Sequence, residues 1–114
     1  MTDIPTSYTR LRAEHPDLLG AYESFTQACA QSGPLDAKTV ALVKVAISCS
    51  AGLEGGAASH ARKALEAGCT PDELLHVAHL CGPTVGFPAM MRARKLMLEI
   101  IEKRGGKQGE KSAR

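Results

Sequence analysis

Apolar residues recur along this chain at helical spacing, and the pattern divides it into five predicted helices. From about Pro16 to Gln31, Leu18, Leu19, Tyr22, Phe25 and Cys29 fall on one face, with a proline in the opening turn and Ser32-Gly33-Pro34 as the stop. A second helix is predicted from about Leu35 to Ser50. Its stretch Val40 to Ile47 is apolar nearly all round, with Lys44 as its one charge, which predicts the buried centre of a bundle. Ser50-Ala51-Gly52 breaks the pattern. A third helix starts near Glu54, carries His60, Ala64 and Leu65, and stops at Gly68. Thr70-Pro71-Asp72-Glu73 then supplies an N-cap hydroxyl, a proline at the first helical position and a glutamate three residues after the cap. The fourth helix therefore begins at Pro71 and carries Leu74, Leu75, Val77, Ala78 and Cys81, and Gly82-Pro83 is expected to kink or end it. The last helix opens near Pro88, turns Met90, Ala93, Met97, Ile100 and Ile101 inward, and is expected to close at Gly105-Gly106. No period-two alternation long enough for a strand occurs. The expected fold class is all-α, with about five to six helices.

Length allows one domain. Residues 1–104 read as that domain and residues 105–114 as a flexible basic tail. Aromatic residues make up 4% of the 114 and tryptophan is absent, so the core must rest on aliphatic residues, alanine and methionine. The formal net charge of +2 lies largely in the tail and describes no nucleic-acid-binding face. No apolar run reaches the ~18 residues of a membrane span, and the polar opening residues are no signal peptide, so the chain reads as cytoplasmic.

Four cysteines, Cys29, Cys49, Cys69 and Cys81, form no C-x-x-C pair and read as semi-buried small hydrophobes. His76 and His79 lie three apart on one helix face. That spacing can hold a metal, but two histidines with no clear third ligand do not define a site, so no metal is expected. His76 is assigned instead to substrate contact. His15 leads into the first helix. Gly55-Gly56 has no companion phosphate-loop motif, so no cofactor is expected, and the pair reads as close backbone packing.

The order Gly33-x-Leu35-x-x-Lys38, Gly52-x-Glu54, His60-x-x-x-Ala64-Leu65-x-x-Gly68, Thr70-Pro71-Asp72-Glu73-Leu74 and Gly86-Phe87-Pro88-Ala89 resembles the carboxymuconolactone decarboxylase family, over roughly Leu18 to Ile101. That family belongs to the alkylhydroperoxidase-D-like fold group. The resemblance implies a helical bundle that assembles into trimers or hexamers, with sites built at subunit contacts. In the peroxidase branch a C-x-x-C pair precedes the histidine, and a glutamate on the preceding helix completes a proton relay. Here those positions hold Leu53, Gly56 and Ala41, and only His60 remains. Thiol-dependent peroxide chemistry is excluded on that ground. The decarboxylase branch keeps a glutamate and a histidine where this sequence has Glu54 and His60, although Leu53 stands where an arginine would be expected.

The implied activity is that of a lyase or isomerase acting on a small anionic or cyclic acid. His60 would be the acid–base, Glu54 would orient it or share its proton, and Lys44 would bind the anion. Each residue also has a plain alternative. His60 can be a packed interface histidine, Glu54 a charge favourable to its helix dipole, and Lys44 a side chain snorkelling to solvent. The competing reading is a non-catalytic oligomeric binding or scaffold protein that kept the fold after losing the redox pair. A peroxidase-family member in name only is a further alternative. Association into a homo-oligomer is expected from the last helix too, since Met90, Met97 and Ile101 share a face while Met91, Leu98 and Leu96 spread to others.

Overall fold

The computed structural model describes the backbone of residues 6–112 and the side chains of residues 7–105. Six helices occur in this region: α1 (Thr6–Glu14), α2 (Pro16–Gln31), α3 (Ala37–Ser50), α4 (Glu54–Glu66), α5 (Pro71–Val85) and α6 (Phe87–Ser112), with no strand among the described residues. Backbone contacts divide them into two compact units, one up to Pro34 and one from Leu35 onward.

The first unit is a helical pair. Sequence reasoning places no element before Pro16, yet α1 forms there, held to α2 by polar contacts. Arg12 donates to Glu23 at 2.7 Å and lies over the Tyr8 ring, whose hydroxyl also donates to Glu23, at 2.9 Å. Of the five residues predicted for the inner face of α2, only Leu19 is buried. Leu18, Tyr22, Phe25 and Cys29 are exposed.

The second unit contains the core. Val45, Leu74 and Met97 are its largest fully buried side chains. Around them pack Ala57, Ala61 and Ala64 of α4, Ala78 and Cys81 of α5, and Ala93 and Ile100 of α6. Most of this face is alanine, so α4 lies close to its neighbours, and α3 packs chiefly against α4 and α5. The predicted burial of α3 on all sides does not hold. Val45, Ser48 and Cys49 are buried, while Val43 and Ile47 are exposed. Three sides of a helix cannot be covered by two neighbours.

Local signals fix the helix ends. Asp36 caps α3 by accepting from the Thr39 amide at 2.8 Å, so the helix starts at Ala37 rather than Leu35. Gly68, at φ +99°, closes α4 as expected. Its amide donates to Leu65 O, and that of Cys69 donates to Ala64 O. The Thr70/Glu73 capping box forms in both directions, at 3.1 and 2.8 Å. One expected stop fails, and at Gly82-Pro83, where a kink or an end was expected, the helix goes on for two more residues. Helix α5 runs through Gly82-Pro83 to Val85 and ends at Gly86, φ +108°. Pro83 lies in the final turn, where the one carbonyl it leaves without a helical donor interrupts little. Helix α6 continues through Gly105 and Gly106 to Ser112. The side chains of residues 106–112 and all of residues 113–114, where the flexible basic tail was expected, lie outside the described residues. No helix among the described residues is long and apolar enough to cross a membrane.

Candidate functional site

Helices α3 and α4 are consecutive and joined by the short turn Ala51–Leu53, so they run antiparallel. Gly56 faces Ser48: a β-carbon at Gly56 would stand 3.4 Å from the Ser48 hydroxyl oxygen. One turn back along α3 is Lys44 and one turn forward along α4 is His60, about 6 Å along the helices from the first pair. These two pairs form successive rungs between the helices, and the rung of Lys44 and His60 brings together two of the three predicted catalytic residues.

His60 is half-buried and makes no hydrogen bond to a described residue. No side-chain nitrogen or oxygen among the described residues is both sealed from solvent and unpartnered, so the ring nitrogens remain open to an incoming molecule. Burial holds its pKa below the ordinary histidine value of 6.5, and the nearby charges of Lys44 and Lys63 push it in the same direction. The ring is therefore kept neutral, as a proton acceptor, beside cations suited to an anion.

Glu54 is not part of this rung. Six residues separate it from His60, which places the two about 120° apart around α4 and about 9 Å apart along it. Glu54 instead lines a second, small cleft with Ser48, Cys49, Leu53 and Ala57, closed on the far side by Arg92, Ala93 and Leu96 of α6. Neither Ser48 nor Arg92 was singled out from sequence. The cleft is assembled from three helices, and no spacing rule connects position 48 with position 92.

His76 is exposed on α5, and no described contact joins it to His60 or Lys44. Arg94 donates to Nε2 of His79 at 2.8 Å. That contact uses a ring nitrogen a metal would require, and no group of three metal-ligating side chains occurs among the described residues.

The cysteines behave as packing residues with one exception. Cys49, Cys69 and Cys81 are buried, whereas Cys29 is exposed rather than half-covered. Burial, with a smaller contribution from neighbouring Cys81, pushes the Cys49 thiol up to about 11, far from the thiolate that peroxide chemistry needs.

The sequence profile of the carboxymuconolactone decarboxylase family matches residues 16–99. The chain belongs to this family. A solved carboxymuconolactone decarboxylase family protein from Legionella pneumophila, apo-lpg0406, is 26% identical to it and superposes with a TM-score of 0.74. The similarity covers 86% of this chain and 87% of that one. No curated protein matches at a significant level. The family match spans helices α3 and α4, and with them Lys44, Glu54 and His60.

Proposed function

We propose that this carboxymuconolactone decarboxylase family member is a cysteine-independent acid–base lyase or isomerase acting on a small anionic organic acid. The observation that carries the reading is the half-buried, unpartnered His60 ring beside Lys44. A neutral imidazole near its working pH accepts a proton from a substrate carbon or hydroxyl and returns it to the carbon that develops negative charge. Lys44 holds the anion and stabilises that charge without giving up its own proton. In a decarboxylation the bond to the carboxylate breaks, carbon dioxide leaves with no added electrons, and the imidazolium protonates the carbanion left behind. Glu54, on a different face of α4, does not share the His60 proton within one subunit.

The test is turnover of a panel of small β-keto, lactone and unsaturated acids, read by mass spectrometry and by solvent deuterium incorporation at carbon. Deuterium incorporation that depends on enzyme concentration supports the reading. Absence of both turnover and exchange across the panel would leave the scaffold reading, which the separation of Glu54 from His60 favours.

The same reading includes a homo-oligomer, trimer or hexamer. Leu35, Ile47, Leu53, Leu80 and Phe87 in the second unit are all more than half exposed. Large apolar side chains left this open are the kind that symmetric association covers. Light scattering at micromolar concentration is expected to give a mass three or six times that of the 12.0 kDa chain, and a 12 kDa particle would overturn it. The reading takes the cytoplasm as its compartment, where its four free thiols stay reduced.

A further inference from the structure

The geometry points to a carboxylate-binding recess at the start of α4, formed by the Ser48 hydroxyl, the free amides of Glu54, Gly55 and Gly56, and the Arg92 guanidinium. It rests on the acid–base reading above and adds to Lys44 a second place to hold a carboxylate of the substrate while its next carbons meet His60.

Three independent features converge. Leu53 occupies the capping position of α4, and its side chain has no acceptor to offer. The first amide of the segment to be paired after Leu53 is that of Ala57, which donates to Leu53 O at 2.8 Å, so the amides of residues 54–56 have no described acceptor. These three donors carry the positive end of the helix dipole.

The second feature is Ser48, the one buried polar residue of the core, 6% exposed. A serine inside a helix commonly turns its hydroxyl back to a carbonyl of the preceding turn. That of Ser48 makes no hydrogen bond among the described residues, yet it is not sealed off. Ser48 lies in the wall of the cleft, and its hydroxyl stands beside Gly56 at the start of α4. A β-carbon at Gly56 would meet this hydroxyl at 3.4 Å, the near edge of ordinary contact.

The third is Arg92, which reaches the same cleft from α6 and forms no ion pair among the described residues. The cleft lined by Ser48, Glu54 and Arg92 holds about 20 Å³, close to the space of one water, and Gly55 and Gly56 follow Glu54 at its rim in the first turn of α4. The cleft admits one oxygen of a planar carboxylate, with the rest of the acid outside. The Lys44/His60 rung begins about 6 Å further along the helices, within reach of the following carbons of the same acid. Glu54 also lines the cleft, and its charge opposes an anion.

The experiment is an NMR titration of the ¹⁵N-labelled full-length protein with butyrate at fixed ionic strength. Parallel arms use butyramide and inorganic phosphate. The amide signals of Glu54, Gly55 and Gly56 are expected to shift and saturate with butyrate and to stay in place with butyramide. Ser48→Ala is expected to weaken butyrate roughly tenfold, the effect of one hydrogen bond to a charged group. Arg92→Gln, on the surface and harmless to folding, should weaken it roughly threefold. Glu54→Gln should tighten it by a similar factor, a change of opposite sign that a purely structural role would not produce. Butyrate shifts absent from residues 54–56, equal affinities in wild type, Ser48→Ala and Arg92→Gln, or phosphate binding more tightly than butyrate would each overturn the recess. The titration needs no turnover, so saturation at these amides with no activity across the acid panel upholds the recess while the catalytic reading fails. Turnover with KM unchanged in Ser48→Ala and Arg92→Gln removes the recess and leaves catalysis standing.

Discussion

His60→Gln is expected to lower kcat on the acid identified by the panel roughly 10²–10⁴-fold, the usual contribution of a positioned acid–base group. Glutamine keeps the size and polarity of the half-buried position but cannot carry the proton. The far-ultraviolet dichroism and oligomeric mass should therefore match wild type, and a loss accompanied by unfolding would not count.

The pH profile gives a second measurement of the same group. Burial, Lys44 and Lys63 all disfavour the imidazolium, so the folded pKa lies below 6.5. The base is active when neutral, and the acid limb of kcat/KM is expected below pH 6.5 rather than at it. Removing one cation by Lys44→Met should move that limb upward, toward the ordinary value. An acid limb that does not respond to Lys44→Met would show that the two side chains do not share a site. Stability follows the same sign. The unfolded chain binds the proton more readily than the folded one, so this group's contribution is present above pH 6.5 and is lost as the pH falls through the depressed folded value.

Leu74→Ala is expected to cost about 2–5 kcal/mol of stability, the range for truncating a buried leucine. Leu74 has no exposed surface and belongs to the core shared by α3, α4, α5 and α6. Its neighbours across the core are largely alanines on helices already close together, which cannot move in to fill the space. A fall of about 8–20 °C in the thermal midpoint is expected for a chain of this size. Wild type and variant must be compared at one protein concentration, because association would raise both midpoints by mass action. A fall of less than 3 °C would show that the bundle repacks around the lost side chain.

The elements legible in the sequence were those governed by rules acting over a few residues. The Thr70/Glu73 box, the Gly68 stop and the inward register of Ala93, Met97 and Ile100 needed only neighbouring residues for their reading. Helix α1 escaped notice because it lacks an apolar stripe and leans on Tyr8 and Arg12, which both reach Glu23 on α2, fifteen residues beyond Tyr8. The face of α2 shows the opposite failure. Periodicity identified Leu18, Tyr22 and Phe25 as residues sharing one side, but it cannot say what covers that side, and all three are exposed. At the site, His60 was singled out through the family resemblance and Lys44 as the one charge of an apolar helix, and the structure brings the lysine's charge to bear on the imidazole. Glu54 was drawn toward them by the same resemblance, and helix geometry separates it. Ser48 and Arg92 stayed invisible because only the meeting of α3, α4 and α6 relates them.

The alanines at positions 57, 61 and 64 have no exposed surface, and they set the distance between α4 and its neighbours. That has a genetic consequence. Alanine becomes valine by a single base change, so one mutation at this face adds atoms to a packed core. Such a change would spread the rungs apart before it emptied the core. Lineages carrying this gene should therefore tolerate drift at the exposed Leu18, Tyr22 or Phe87 only as far as association permits, and hardly any at the small residues that gauge the spacing of Lys44 from His60.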